Sequence, residues 1–175
     1  MSHLQKGYIQ VYTGDGKGKT TAALGLTLRA AGAGLKVYIG QFLKTGTYSE
    51  IEGLALLGER VRVEQFGGKK FIIGEPTEED RKRAAAGLEK IQETILTGGF
   101  DVVILEEINV ALKIGLLEVR NVLELLKQKP EGVEIVCTGR GAPEELIEAA
   151  DLVTEMRKIK HYMDRGVYAR TGIEK

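Results

Sequence analysis

Short apolar runs recur along the chain, each closed by a glycine-rich or polar break and followed by a longer stretch of helix-forming residues. Tyr8–Tyr12, Lys36–Leu43, Val61–Phe66, Phe100–Glu107, Val133–Thr138 and Leu152–Met156 read as six strands. Thr20–Ala33, Ser49–Leu57, Thr77 to Gly98, Leu116–Lys129 and Pro143–Ala150 read as helices. Thr77 with Asp80 is a capping signature, and Glu78 and Glu79 sit at the positive end of the helix it opens. The unbroken apolar run Val102–Leu105 suits a parallel strand covered on both faces. Alternating strands and helices without linker or repeat predict one α/β domain over residues 1–175, with a mostly parallel sheet of about six strands.

The breaks after the strands carry the chemistry. Thr13-Gly14-Asp15-Gly16-Lys17-Gly18-Lys19-Thr20-Thr21 lies between the first strand and the first helix, the setting of a phosphate-binding loop. Glycines let successive N–H groups turn toward an anion at the helix's positive end, Lys19 adds a full charge, and the Thr20 hydroxyl suits the magnesium of a triphosphate. The first glycine of the usual spacing would fall at Thr13, so the loop is one residue tighter. The plain alternative is a glycine-rich turn with exposed lysines. The fold class follows as a P-loop, RecA-like three-layer α/β fold.

Glu106 and Glu107 end a buried strand, where a P-loop enzyme places its metal-side carboxylate. Spacing does not choose between them. Arg140, between Gly139 and Gly141, could reach a phosphate or ribose, or serve the loop alone. Gly67–Gly74, basic and apolar together, reads either as a flap or as a surface loop anchored by Phe71, Ile72 and Ile73. In a parallel sheet Thr13–Thr21, Gln41–Ser49, Gly67–Phe71, Glu106–Glu107 and Gly139–Gly141 all follow strands, so they face one cleft.

Composition narrows the partners. In 175 residues, Lys+Arg and Asp+Glu each count 25 and aromatics make up 6%, so neither nucleic acid nor a membrane surface is indicated. The lone Cys137 reads as a buried strand residue. No apolar stretch approaches a membrane span and no secretory signal opens the chain, so a cytoplasmic location is expected. The rival enzyme class, a nucleoside kinase or NTPase cleaving at the γ-phosphate, needs a base or water-positioning group at the phosphate end. Glu106 is the one candidate.

Taken together, residues 13–23, Gln41-Phe42-Leu43-Lys44, Val102–Glu107, Thr138–Gly141 and the tail with Lys160, His161, Asp164, Gly166, Ala169, Gly172 and Ile173 resemble the ATP:corrinoid adenosyltransferases of cobalamin biosynthesis. The resemblance covers nearly the whole chain. It implies transfer of the 5′-deoxyadenosyl group of ATP to the Co(I) centre of a cobalamin or cobinamide-type corrinoid, with triphosphate as leaving group and ATP bound reversed relative to other P-loop enzymes. By the same resemblance Gly14, Asp15, Gly16, Lys17, Gly18, Lys19, Thr20 and Thr21 hold the phosphates, and Thr20 and Glu107 hold magnesium (or manganese). Lys19, Thr20 and Glu107 become the catalytic set. Arg29, Arg140 and His161 match further family positions near nucleotide or corrinoid. Phe71 keeps one aromatic of a family pair whose other member is here Lys69. A flavoprotein reductant and a homodimer are also implied.

Overall fold

Every residue of β2 (Val37–Gln41) and β4 (Val102–Glu106) is buried, which is why these strands read as continuous apolar runs without alternation. They lie side by side in the middle of a sheet built from β1 (Ile9–Thr13), β2, β3 (Val61–Gln65), β4, β5 (Glu134–Thr138) and β6 (Leu152–Glu155). The order is β3-β2-β4-β5-β1-β6, and every pairing is parallel. The computed structural model describes residues 4–68 and 72–175.

Parallel neighbours need crossovers, and right-handed crossovers decide which face each helix covers. The chain runs outward from β1 to β2 to β3, so α1 (Lys19–Gly32) and α2 (Ser49–Ala55) share one face. Return connections put α3 (Glu78–Thr97), α4 (Ile108–Lys113), α5 (Val119–Lys127) and α6 (Glu144–Ala149) on the other. Two separate cores agree with this: Ala23, Ala30 and Leu54 pack on Ile39 and Ile104, while Ile91, Leu112, Leu125 and Leu146 pack on Tyr38, Val103 and Ile135. Each fully buried aliphatic side chain contributes about 1.5–3 kcal/mol by leaving water.

The helix starts follow local chemistry. Thr77 and Asp80 form the expected reciprocal cap, Asp80 N donating to Thr77 Oγ1 at 3.2 Å and Thr77 N donating to Asp80 Oδ2 at 3.0 Å. α1 ends where expected, with Ala33 as its C-cap and Gly34 at φ +90° just beyond, but another helix differs from expectation. The expected helix Leu116–Lys129 begins at Val119, and a separate six-residue helix, α4, precedes it. With Ile108, Asn109, Ala111 and Leu112 all buried, α4 has no polar face to display a helical period.

Register sets the site. Gln41 stands opposite Gln65 on one side and Glu106 on the other, Leu105 opposite Cys137, and Tyr12 opposite Thr138. The strands therefore end level, and the loops that follow them open onto the same edge. One strand, β5, separates the strand leading to the phosphate loop from the strand bearing the acids.

Candidate active site

The loop after β1 has the backbone that an anion cradle needs. Gly14 sits at φ +94°, and a Cβ there would lie 2.5 Å from the Met156 carbonyl, so only glycine fits. Gly16 N donates to the same carbonyl at 2.6 Å, which ties the loop to the segment leaving β6. Lys19 is 8% exposed, and its ammonium donates to the carbonyls of Gly14 at 2.7 Å and Gly16 at 2.6 Å. Burial, with help from the nearby positive Arg140, pushes its pKa below the usual lysine value, against the pull of Glu107 and Asp15. Four charged groups from three loops thus feel one another at the loop.

Thr13, where the commoner spacing has glycine, does positive work: its Oγ1 accepts from Ala142 N at 3.1 Å and straps the arginine loop to β1. Thr138 Oγ1 likewise accepts from Glu107 N at 3.2 Å.

The two acids at the end of β4 are sorted by their neighbours. Glu106 is 1% exposed and fully engaged, accepting from Gln41 Nε2 and from the Lys44 ammonium at 2.8 Å. Burial works to lower the Lys44 pKa, but the charge and hydrogen bond of Glu106, with Glu50 and Glu107, outweigh it and raise it. Gln41 Oε1 in turn accepts from Gln65 at 3.0 Å, and Gln65 clamps both the N–H and the C=O of Gly46, at 3.0 and 3.1 Å. Glu107 differs in every respect. It adopts φ +61°, a left-handed backbone rare for a carboxylate residue, and its carboxylate makes no hydrogen bond or ion pair among the described residues. Burial raises its pKa, and Glu106 adds to the rise, while Lys44, Lys19 and Arg140 oppose it.

The remaining expected positions divide. Asp15 and Thr21 are exposed on the loop and at the start of α1, Gly18 caps α1 at φ +126°, and Thr20 is half-buried in its first turn. Arg140 is exposed beside the cleft and electrostatically coupled to Lys19 and Glu107. Lys17 turns instead to the C-terminal tail, donating to the Ile173 carbonyl at 3.0 Å and lying 3.4 Å from Glu174. His161 belongs to that tail: its Nδ1 accepts from Met163 N at 3.1 Å, capping the short turn Tyr162–Arg165, and its ring packs on Tyr162. Tyr162 and Arg170 both bind Glu174, so the tail reaches the phosphate loop through that carboxylate. Arg29 is not brought to the loop. It is exposed in the last turn of α1, ten positions beyond Lys19 and so roughly 15 Å along the helix axis. Lys69, Lys70 and Phe71 lie outside the described residues.

Gln41, Thr13 and Thr138 fall within the quoted motifs without a role assigned to them, and Asn109 is passed over. Their common signal is a polar residue placed at or just past the end of an otherwise apolar strand.

A level sheet edge, an anion cradle with a buried lysine and an unpaired acid facing it across one strand define a P-loop nucleotide-binding protein. Similarity places it further: residues 5–174 match the family described as ATP:corrinoid adenosyltransferase BtuR/CobO/CobP, and the chain belongs to that family. A corrinoid adenosyltransferase of Sinorhizobium is 39% identical over 97% of this chain and 81% of its own length. Those of Pseudomonas aeruginosa and Escherichia coli K12 are 37% and 33% identical, again over 97% of this chain, and over 84% and 86% of their own. Among solved structures, a KaiC-like protein of Pyrococcus horikoshii aligns with a TM-score of 0.54 at 17% identity, over 87% of this chain and 74% of that one, and so shares the fold.

Proposed function

We propose that this adenosyltransferase moves the 5′-deoxyadenosyl group of ATP onto the Co(I) centre of a corrinoid, with Lys19, Arg140 and the loop N–H groups holding the departing triphosphate. The observation that carries the residue assignment is the convergence of Lys19, Arg140 and an unpaired Glu107 at one sheet edge. Cobalt(I) is itself the nucleophile, so the protein needs no covalent side chain. Its task is to fix C5′ in line with the cobalt and to stabilise the charge that builds on the α-phosphate oxygen as the C–O bond breaks. Lys19 is already seated on the Gly14 and Gly16 carbonyls, so it reaches the phosphates by exchanging those partners, without a large movement.

The donor set fits magnesium or manganese arriving with the nucleotide. Among the described residues no group of three or more His, Cys, Asp or Glu could hold a metal alone. A hydroxyl at Thr20 and a carboxylate at Glu107 match an ion that takes its other oxygens from phosphates and water. Bound there, the cation would neutralise leaving-group charge. A γ-phosphate-cleaving reading would use Glu106 as base, and that carboxylate is already committed to Gln41 and Lys44.

Several finer points belong to the same reading on the strength of the resemblance: cobalamin or an a,c-diamide precursor as acceptor, a flavoprotein electron donor, a homodimer, and Phe71 on the corrinoid side; a cytoplasmic location belongs to it from the sequence pattern. Among the described residues no helix is long and apolar enough to cross a membrane. The deciding experiment mixes the protein with chemically reduced corrinoid, ATP and magnesium. The expected result is the adenosylcorrinoid spectrum with one triphosphate released per turnover. Release of ADP or of inorganic phosphate as first product overturns the assignment.

A further inference from the structure

Asn109 is fully buried in the first turn of α4, two residues beyond Glu107. Its amide nitrogen donates to the Gly139 carbonyl at 3.0 Å and to the Tyr12 carbonyl at 3.2 Å. Gly139 N donates to that same Tyr12 carbonyl at 3.2 Å, so three chain segments meet at one small junction. They are the end of β1 before the phosphate loop, the corner carrying Glu107, and the loop carrying Arg140. The fit is close: Gly139 has φ +130°, and a Cβ there would lie 3.1 Å from Val110 N and 3.2 Å from Asn109 Cβ.

The junction is not optimised for stability alone. Asn109 Oδ1 is buried and accepts no hydrogen bond among the described residues, an arrangement that does not favour stability. Turning the amide over does not repair it, because both neighbours are carbonyl oxygens that need a donor. An apolar side chain would remove the orphan oxygen but would also release the loops from each other. We propose that Asn109 is a positioning residue: it fixes the spacing of the Arg140 loop from the phosphate loop and so holds Arg140 in register with Lys19 on the leaving triphosphate. This rests on the phosphate site proposed above. Arg140 itself is exposed, with its loop otherwise held by Thr13 Oγ1 on Ala142 N and by the β5 end, so its placement depends on these few backbone ties.

The test is a double-mutant cycle in the full chain with Asn109→Ala, Arg140→Ala and the pair, read by single-turnover adenosylation of pre-reduced Co(I) corrinoid at saturating ATP and by thermal melting. Asn109→Ala should slow turnover about 10- to 100-fold, the scale of a small misplacement of a reacting group. In the Arg140→Ala background the same change should cost less than about twofold, since its route is already removed. A purely structural asparagine would impose the same loss in both backgrounds, and that result overturns the inference while leaving Arg140 in its assigned place. Full activity of Asn109→Ala also overturns it. Full activity of Arg140→Ala removes the phosphate assignment of Arg140 and the inference with it. If Asn109→Ala does not fold, Asn109→Ser, which keeps one donor, takes its place in the cycle with the same two readings.

Discussion

The Lys44 ammonium lies 2.8 Å from the Glu106 carboxylate across the ends of two adjacent strands, and this pair separates two acids that are neighbours in sequence. Glu106 is spent on structure and Glu107 is left available. Glu106→Gln should therefore act mainly on stability, because it removes the charge facing a largely buried ammonium, whose other partners are Glu50 at 3.4 Å and the face of the Tyr48 ring. The expected loss is about 1–3 kcal/mol, read as a fall in Tm at about 2–4 °C per kcal/mol for a chain of this size. Glu107→Gln should leave Tm at least as high and raise the magnesium needed for half-maximal rate by about tenfold or more. The opposite assignment of effects would make Glu106 the metal-side acid.

Glu107 also predicts a pH signature of stability in nucleotide-free, metal-free protein. Its folded pKa is raised by burial above the ordinary 4.5, so the folded state favours the protonated form. Stability from this group is complete below the ordinary value and is lost as pH rises through the folded one. Glu107→Gln, always neutral, should melt higher than the parent at pH 7.5, and the gap should close as pH approaches 4.5. A gap independent of pH would show that backbone strain or packing, not desolvation of the charge, separates the two.

Lys19→Ala removes the one buried ammonium in the phosphate loop. Turnover should fall about 10²–10³-fold, the scale of losing a donor aimed at developing charge, while the melting curve stays cooperative. Near-normal adenosylation by this variant would mean that the triphosphate is held elsewhere.

Lys17 is paired with the tail, not with Lys19's partners. Glu174→Gln should therefore free residues 157–175 from the loop, seen as faster amide exchange there with little change in Tm, since these contacts are exposed. Unchanged exchange would show that the Lys17 contact to the Ile173 carbonyl and the Ser49 hydroxyl on the Lys175 carbonyl hold the tail without the ion pair.

What could be read in the chain was what local spacing encodes. The shortened loop, the apolar run into Glu106–Glu107 and the Thr77–Asp80 cap depend on residues a few positions apart, and each stands where the pattern put it. The choice between the two acids was not legible, because it is made by Gln41 and Lys44 from a strand about 60 residues away that becomes adjacent only in the folded sheet. Lys17 is a similar case: its spacing suggests phosphate, and its partners come from 156 and 157 positions further on. Arg29 matches a family position, yet a helix rising from the loop carries it away from Lys19. Asn109 was hidden because its partners are backbone carbonyls, which leave no trace in sequence.

The sheet order also has a consequence for how the chain is made. Of the six strands in this sheet β1 is made first, yet among the described residues its partners are β5 and β6, which are made after the other three. From the end of β1 at Thr13 to the end of β5 at Thr138 is 125 residues, roughly 6–25 seconds at ordinary ribosome speeds. Over that interval Val11 and the apolar face of the following segment have no sheet to join, and the nucleotide cradle does not exist. ATP can therefore play no part in early folding on the ribosome. It can act only on the completed sheet, where binding slows unfolding and leaves the rate of first assembly unchanged.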